Sequence, residues 1–291
     1  MKYAYYPGCS LRGTGRAYEE SLLAVFRALD VAIQELNDWN CCGATTYLSI
    51  DELTSYALAA RNLALAARDR LDIIAPCAAC YLVLNKTQRY IHDYPDIKLV
   101  VTRALDAIGL KYDDRVRVRH PLDIFLNEIG VKAIASRVTR SLKGLKVAPY
   151  YGCQIVRPYA TFDDQRNPTS MDRLLEACGA EIIPYSLKTR CCGGSQKGTL
   201  PEVGLYLINY LVEEAQMNGA DVIATVCPLC QFNLECFQKE ASSEQNPLST
   251  PVLYFTQLMA LALGASSATI GLRRSLVKIE PVLEAKEIAY A

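Results

Sequence analysis

Ten of the twelve cysteines fall into two sets of five with nearly the same spacing. Cys9, Cys41, Cys42, Cys77 and Cys80 read C-x31-CC-x34-C-x2-C; Cys153, Cys191, Cys192, Cys227 and Cys230 read C-x37-CC-x34-C-x2-C. Adjacent cysteines are badly placed to pair with each other as a disulfide. The chemistry that suits them is metal ligation, because thiolates are soft donors for zinc or iron–sulfur clusters. A C-x2-C pair at a helix start brings two sulfurs to one side of a turn, where helix amides favour anionic sulfur. Five thiolates exceed the four that zinc or a conventional four-iron cluster takes. The fifth is either a spare thiol beside an ordinary site or a thiolate bridging two irons in a distorted cluster; vicinal cysteines suit the second case. Disulfides rank behind ligation, since the opening MKYAYYPGCS contains no secretory h-region.

Other residue types around the sets have roles to offer. Gly43 and the Gly193-Gly194 pair can take positive φ, approach inorganic sulfide without a Cβ, and turn their amides toward sulfur; the plainer reading is a turn. Arg12, Arg190 and Lys197 are candidate clamps for an anionic substrate, set against ordinary surface roles. Tyr151 and Gln154 flank Cys153; Gln154 is a candidate hydrogen-bond donor, and Tyr151 is expected to pack. His92 and His120 lie outside both sets, with His120 the better outside candidate. Cys178 and Cys236 are expected to be free, as small buried hydrophobes.

These residues need elements to carry them. YAYYPGC at 3–9 matches VAPYYGC at 147–153, and LDIIAPCAACYLVLNKTQRY at 71–90 matches ADVIATVCPLCQFNLECFQK at 220–239. Each match gives a short apolar run and then a cysteine element, with a helical segment after each C-x2-C. Helices are expected at 17–29, 54–70 and 203–219. Strand and helix in alternation imply an α/β fold with mainly parallel sheets, whose ligands collect at the carboxyl ends of the strands. Repetition on this scale is a domain duplication, expected to place two similar halves about an approximate two-fold axis, 1–145 and 146–291.

Composition narrows the function. Lys plus Arg and Asp plus Glu both total 31, so net charge is zero and nucleic-acid binding has no support. No apolar stretch is long enough to span a membrane. FTQLMALALG at 255–264 is the best candidate for surface attachment and is expected instead to be a buried helix. Residues 265–291 have no match in the first half, and the sequence assigns them no role.

The doubled C-xn-CCG-xm-C-x2-C pattern resembles the cysteine-rich CCG domains of the B-type heterodisulfide reductase component, over residues 1 to about 260. The resemblance implies two non-cubane 4Fe-4S clusters, neighbouring one another and each held by one set of five cysteines. It further implies a catalytic subunit that reduces a mixed disulfide to two thiols. Its partners would be a small ferredoxin-like C-type subunit and a flavin-containing A-type subunit, in the cytoplasm or at a membrane through those partners. Neither a C-x2-C-x2-C-x3-C-P run nor a GxGxxG motif occurs here, so electrons and flavin are expected from partners. The alternatives are an electron-transfer or quinone-linked CCG subunit, a component of a sulfur-oxidising complex using a thiol carrier, and a zinc-held scaffold.

Overall fold

The structure, a computed structural model, describes residues 2–45 and 47–290. It contains two four-stranded sheets, each wholly parallel. The first is built from β1 (Lys2–Tyr5), β2 (Ala32–Glu35), β3 (Ile73–Ile74) and β4 (Val118–Arg119), in the order β2-β1-β3-β4. The second is built from β5 (Lys146–Tyr150), β6 (Glu181–Ile182), β7 (Val222–Thr225) and β8 (Val252–Tyr254), in the order β6-β5-β7-β8. The strand order is therefore the same in both, as duplication of an α/β unit requires. The apolar runs leading to each C-x2-C are the strands beside the first: every residue of β3 and of β7 is buried, as expected for strands covered on both faces.

Helices link the strands. The expected helices form as α1 (Arg16–Ala28), α2 (Glu52–Asp69) and α5 (Pro201–Met217). Asp51 caps α2 by accepting from the Thr54 N–H at 3.1 Å, and α5 opens on Pro201, whose missing N–H is harmless there. Two more helices, α3 (Ala78–Asp93) and α6 (Pro228–Cys236), start directly after Cys77 and Cys227, and α4 (Pro95–Asp106) follows α3. The segment expected to be a buried helix is α7 (Phe255–Ala262), all eight residues of which are buried.

Packing divides the chain into two units. One comprises the chain up to Arg12 and Val31–Pro121; the other comprises Gly13–Asp30 and everything from Leu122 onward. Helix α1, which lies between Cys9 and Cys41 in sequence, thus packs with the second unit. There it lies on α7: Tyr18 stacks on Tyr254 with ring centroids 4.5 Å apart, and Ser21 Oγ meets Thr256 Oγ1 at 2.7 Å. The boundary at 145/146 describes the sequence repeat and remains a proposal for it; the packing units follow buried contacts instead.

The segment after residue 264, without a counterpart in the first half, is part of this second core. Ile270, Leu272, Ile279 and Leu283 are buried, Gln257 Nε2 donates to the Ile270 carbonyl, and Arg274 pairs with Glu20 of α1 at 2.6 Å.

Beneath this segment Glu235 of α6 is buried, accepting from the Leu276 N–H at 3.0 Å and from Gln231 Nε2 at 2.7 Å, with Lys278 and the Cys236 thiol nearby. Burial outweighs these favourable contacts and pushes its pKa up to about 7 from an ordinary 4.5. A raised carboxyl is fully compatible with the fold in acid. As pH climbs from about 4.5 to about 7, the unfolded chain releases the proton first, and folding stability falls across that window. Glu235→Gln is therefore expected to flatten the loss of urea midpoint between pH 5 and 8; an unaltered pH profile would show that the carboxyl is not titrating in the fold.

Candidate functional site

In an open parallel sheet the loops leaving the carboxyl edge spread apart where the strand order reverses, which leaves a crevice there. The reversal falls between β1 and β3 in one sheet and between β5 and β7 in the other. Cys9 follows β1, the Cys41-Cys42 pair follows β2, and Cys77 and Cys80 follow β3. Cys153, the Cys191-Cys192 pair, and Cys227 and Cys230 follow β5, β6 and β7 in the same way. Parallel topology alone therefore brings each set of five to one sheet edge.

The side chains complete the convergence. Cys42 Sγ lies 3.3 Å from Cys80 Sγ, and Cys192 Sγ lies 3.5 Å from Cys230 Sγ. None of the twelve cysteines is in a disulfide. In the first set Cys42, Cys77 and Cys80 are buried while Cys9 and Cys41 are exposed; in the second Cys192, Cys227 and Cys230 are buried, Cys153 is half-buried and Cys191 exposed. Each half thus sinks three sulfurs and leaves two toward solvent.

The backbone is shaped to these sulfurs. The Gly43 N–H points to Cys41 Sγ at 3.5 Å and the Gly193 N–H to Cys191 Sγ at 3.4 Å. Both glycines are left-handed, at φ +78° and +75°, so the turn and the N–H···S contact are one device. Gly194 differs: it is not left-handed, and its lack of a side chain makes room for Leu229, whose Cγ would lie 2.8 Å from a Cβ there. Gly8 and Gly152, immediately before the first cysteine of each set, would place a Cβ 3.1 Å from Cys80 Sγ and Cys230 Sγ respectively.

Proton sharing follows from the crowding. Hydrogen bonds from Cys41 and then Cys80 hold the Cys42 thiol well below the ordinary thiol range. Cys80 is pushed well above that range by its hydrogen bonds to Cys42 and Cys77 and by burial. Cys191 is lowered to about 6 by its hydrogen bond with Cys153, with help from the Gly193 amide and the charge of Arg157 against the effect of burial. Anionic sulfur is thus favoured at one position of each vicinal pair.

Two tyrosines line the sulfurs, Tyr6 and Tyr150, both fully buried. Tyr6 Oη donates to the Asn40 carbonyl at 2.9 Å and Tyr150 Oη to the Arg190 carbonyl at 2.7 Å, in each case the residue before the cysteine pair. Burial, and then the neighbouring cysteines, raise both phenols far above their ordinary value. Their signal in the sequence is the Tyr-x-Gly-Cys shared by YPGC and YYGC, which motif reading focused on cysteine passes over. Other supports carry no repeat signal. Asn62 grips Asn40 from both sides, accepting from its N–H and donating to its carbonyl, each at 3.0 Å; Asn233 Nδ2 donates to the Cys192 carbonyl at 2.5 Å. Arg157 donates to the Thr189 carbonyl, joining the loop after Cys153 to the loop before Cys191.

The remaining candidates are distributed unevenly. Arg12 pairs with Glu35, which also accepts from Trp39 Nε1 at 3.1 Å. Lys197 is 3.2 Å from Glu240 and 4.3 Å from the centre of the Phe237 ring. Both cations are engaged within the fold. Arg190 is exposed, and Gln154 is half-buried beside Cys153. Tyr151 packs, as expected, with its hydroxyl donating to Asp172 at 2.5 Å, and Asp172 pairs with buried Lys188 at 2.7 Å. His120 is buried, with Nε2 donating to the Pro76 carbonyl at 2.8 Å just before Cys77, whereas exposed His92 meets Asp93. Cys178 is fully buried and Cys236 partly so.

Among the described residues, no three His, Cys, Asp or Glu side chains are arranged to share a single metal ion. A polynuclear cluster asks for something else: an all-thiolate donor set distributed around an inorganic body, with amide donors to sulfur. Unbridged thiols in sulfur–sulfur contact, glycines facing sulfur and a helix start behind each C-x2-C fit that requirement. Also among the described residues, no helix is long and apolar enough to cross a membrane.

Known proteins resemble this chain to different depths. The model of the family described as CCG, cysteine-rich domain, matches residues 3–85 and again 147–235. The chain is 29% identical over 279 residues to the 8-methylmenaquinol:fumarate reductase membrane anchor subunit of Wolinella succinogenes, covering 95% of this chain and 97% of that one. It is 30% identical over 272 residues to a protein of Archaeoglobus profundus described as like the B-type heterodisulfide reductase component, covering 91% of each. A crystal structure of a hypothetical protein from Helicobacter pylori superposes with a TM-score of 0.75 at 15% identity. That match covers 95% of this chain and 52% of the other, so this chain spans about half its length and shares its fold.

The glycine geometry yields a direct test. Gly193→Ala forces a side chain into left-handed backbone, costing about 1–2 kcal/mol, and brings its Cβ to 3.1 Å from the Gly204 Cα. Its urea midpoint is expected to fall, while Gly198→Ala, with nothing within 4 Å of the added carbon, is expected to melt like the parent.

Proposed function

The chain belongs to the cysteine-rich CCG family, of which it carries two copies, and is a relative of proteins like the B-type heterodisulfide reductase component; from that premise we propose that it is the iron–sulfur subunit of a disulfide oxidoreductase. Cys9, Cys41, Cys42, Cys77 and Cys80 would hold one non-cubane 4Fe-4S cluster, and Cys153, Cys191, Cys192, Cys227 and Cys230 a second. When bound, such clusters supply electrons one at a time and iron able to take a substrate sulfur. Two sites in one chain match the two electrons that cleavage of one disulfide to two thiols consumes, along with two protons. The single observation that carries the reading is the doubled five-thiol edge, with three sulfurs buried and two toward solvent in each half.

The protein's own part is to bind, tune and admit. With all five thiolates committed to a cluster, the Gly43 and Gly193 amides would offset negative charge on Cys41 and Cys191. Burial of the C-x2-C sulfurs keeps water from the back of each site, and the exposed rim leaves the front open to a disulfide. Of the three basic candidates, Arg190, exposed beside the second cysteine pair, is the best placed to meet an anionic substrate; Arg12 and Lys197 would first have to leave Glu35 and Glu240. Electrons would arrive from a ferredoxin-like C-type partner and a flavin-containing A-type partner, since the chain has neither motif itself.

A second reading is favoured by the fumarate reductase relative, which matches this chain nearly end to end. In it the same two clusters relay electrons between a quinol and a partner's active site, and no disulfide is touched.

Anaerobic purification followed by iron and acid-labile sulfide counting tests the shared premise. About eight irons per chain are expected, two clusters of four, with Cys42→Ser or Cys192→Ser losing the iron of its own half and sparing the other. Zinc in place of iron would end both readings. Oxidation of a reduced viologen dye by mixed disulfides would support the first. A protein that holds its clusters, ignores every disulfide offered and exchanges electrons with a quinol analogue would establish the second.

A further inference from the structure

In each half one buried tyrosine touches all three cysteine-bearing segments. Tyr6 lies three residues before Cys9 on the chain leaving β1, and its backbone N–H donates to the Ile74 carbonyl at 2.9 Å, at the end of the strand that runs into Cys77. Its hydroxyl crosses to the carbonyl just before Cys41. Tyr150 lies three residues before Cys153, stands in register with Thr225 two residues before Cys227, and reaches with its hydroxyl to the carbonyl just before Cys191. The rings also occupy matching places. A Cβ on Gly8 would lie 3.1 Å from Cys80 Sγ and 3.6 Å from the Tyr6 ring; one on Gly152 would lie 3.1 Å from Cys230 Sγ and 3.7 Å from Tyr150 Oη.

The loops thus tied have otherwise diverged. The interval from first cysteine to pair is 31 residues in one half and 37 in the other. Asn40 stands at the tie in one and Arg190 in the other, and Asn62 braces only the first. The tyrosine, its hydroxyl bond and the glycine two residues later recur in both ties.

We infer that Tyr6 and Tyr150 are positioning residues: each hydroxyl fixes the vicinal-cysteine loop to the strand pair bearing the other three thiols, and so sets the shape of the cluster site in its own half. The role rests on the iron–sulfur reading for its chemical consequence, but the tether itself belongs to the polypeptide.

Tyr6→Phe and Tyr150→Phe keep the ring and delete the hydroxyl. In apoprotein, amide hydrogen exchange over residues 40–45 or 190–195 is expected to speed up about two- to tenfold, as the net worth of one hydrogen bond implies, in the altered half alone. In the anaerobically purified protein the same variant is expected to retain iron while its EPR signal and midpoint potential change, again in one half. Tyr185→Phe is the control: its ring meets the Tyr150 ring with centroids 6.5 Å apart, but its buried hydroxyl donates to the Leu211 carbonyl of α5 at 2.8 Å, so the variant removes a neighbouring hydroxyl and leaves the tie in place. Unchanged exchange in both phenylalanine variants overturns the tether. Faster exchange with an unaltered EPR signal and potential, or an equal spectral change in Tyr185→Phe, overturns its influence on the site. A parent protein devoid of iron defeats the proposed function instead, and the exchange measurement still reads the tether.

Discussion

Parallel pairing of the first strand with the third in each sheet is the constraint on which everything else depends. Because β1 and β3 run the same way, as do β5 and β7, the loops that follow them leave from one edge. Cysteines some seventy residues apart in the chain become neighbours without any bond between them. An antiparallel neighbour would send its loop to the opposite edge and scatter the set. The short strands β3 and β7 suffice at the centre because every one of their residues is buried, as in strands covered on both faces.

Much of this was legible before any coordinates. Strand-like runs before Gly-Cys and before each C-x2-C were apolar enough to announce buried parallel strands, and the alanine-rich stretch at 54–70 could hardly be anything but a helix. The cysteine spacing pointed to the sheet edges where the fold gathers each set of five, because cysteines in such number stand out by type. What stayed hidden lacks a distinctive type. Tyr6 is one tyrosine among eighteen, and its significance lies in where its hydroxyl ends, which only the fold decides. Asn62 and Asn233 perform comparable bracing from unrelated sequence positions. Gly194 looked like a second left-handed turn but serves instead to admit Leu229; a sequence cannot distinguish a glycine needed for its φ from one needed for its smallness.

The two halves share a framework and differ at the rim. Trp39, Glu35 and Arg12 gather near the first vicinal pair, whereas Arg157 and Arg190 stand near the second. The thiol held below the ordinary range also differs in position, the second of the pair (Cys42) in one half and the first (Cys191) in the other. Duplication thus preserved what holds the sulfurs and released what surrounds them. On the proposed reading, two clusters in such unlike electrostatic settings would be inequivalent as electron carriers, because nearby charge and hydrogen bonding to sulfur set how readily a cluster is reduced.

The placement of α1 carries a consequence for how such a chain is made. Residues 16–28 leave the ribosome long before α7, yet the surface that buries Tyr18, Leu22 and Phe26 includes that later helix. When the first sheet has all four of its strands, Phe125, which meets Phe26 at 5.5 Å, is only about to follow, and Tyr18 and Ser21 still wait for Tyr254 and Thr256. Nascent chains of this design must keep an early adhesive segment from engaging strangers, and the order of translation, not the strength of any contact, sets how long that exposure lasts. By the same logic a gene cut at the repeat boundary would separate α1 from its counterpart, so the ancestral duplication can no longer be undone by simple division.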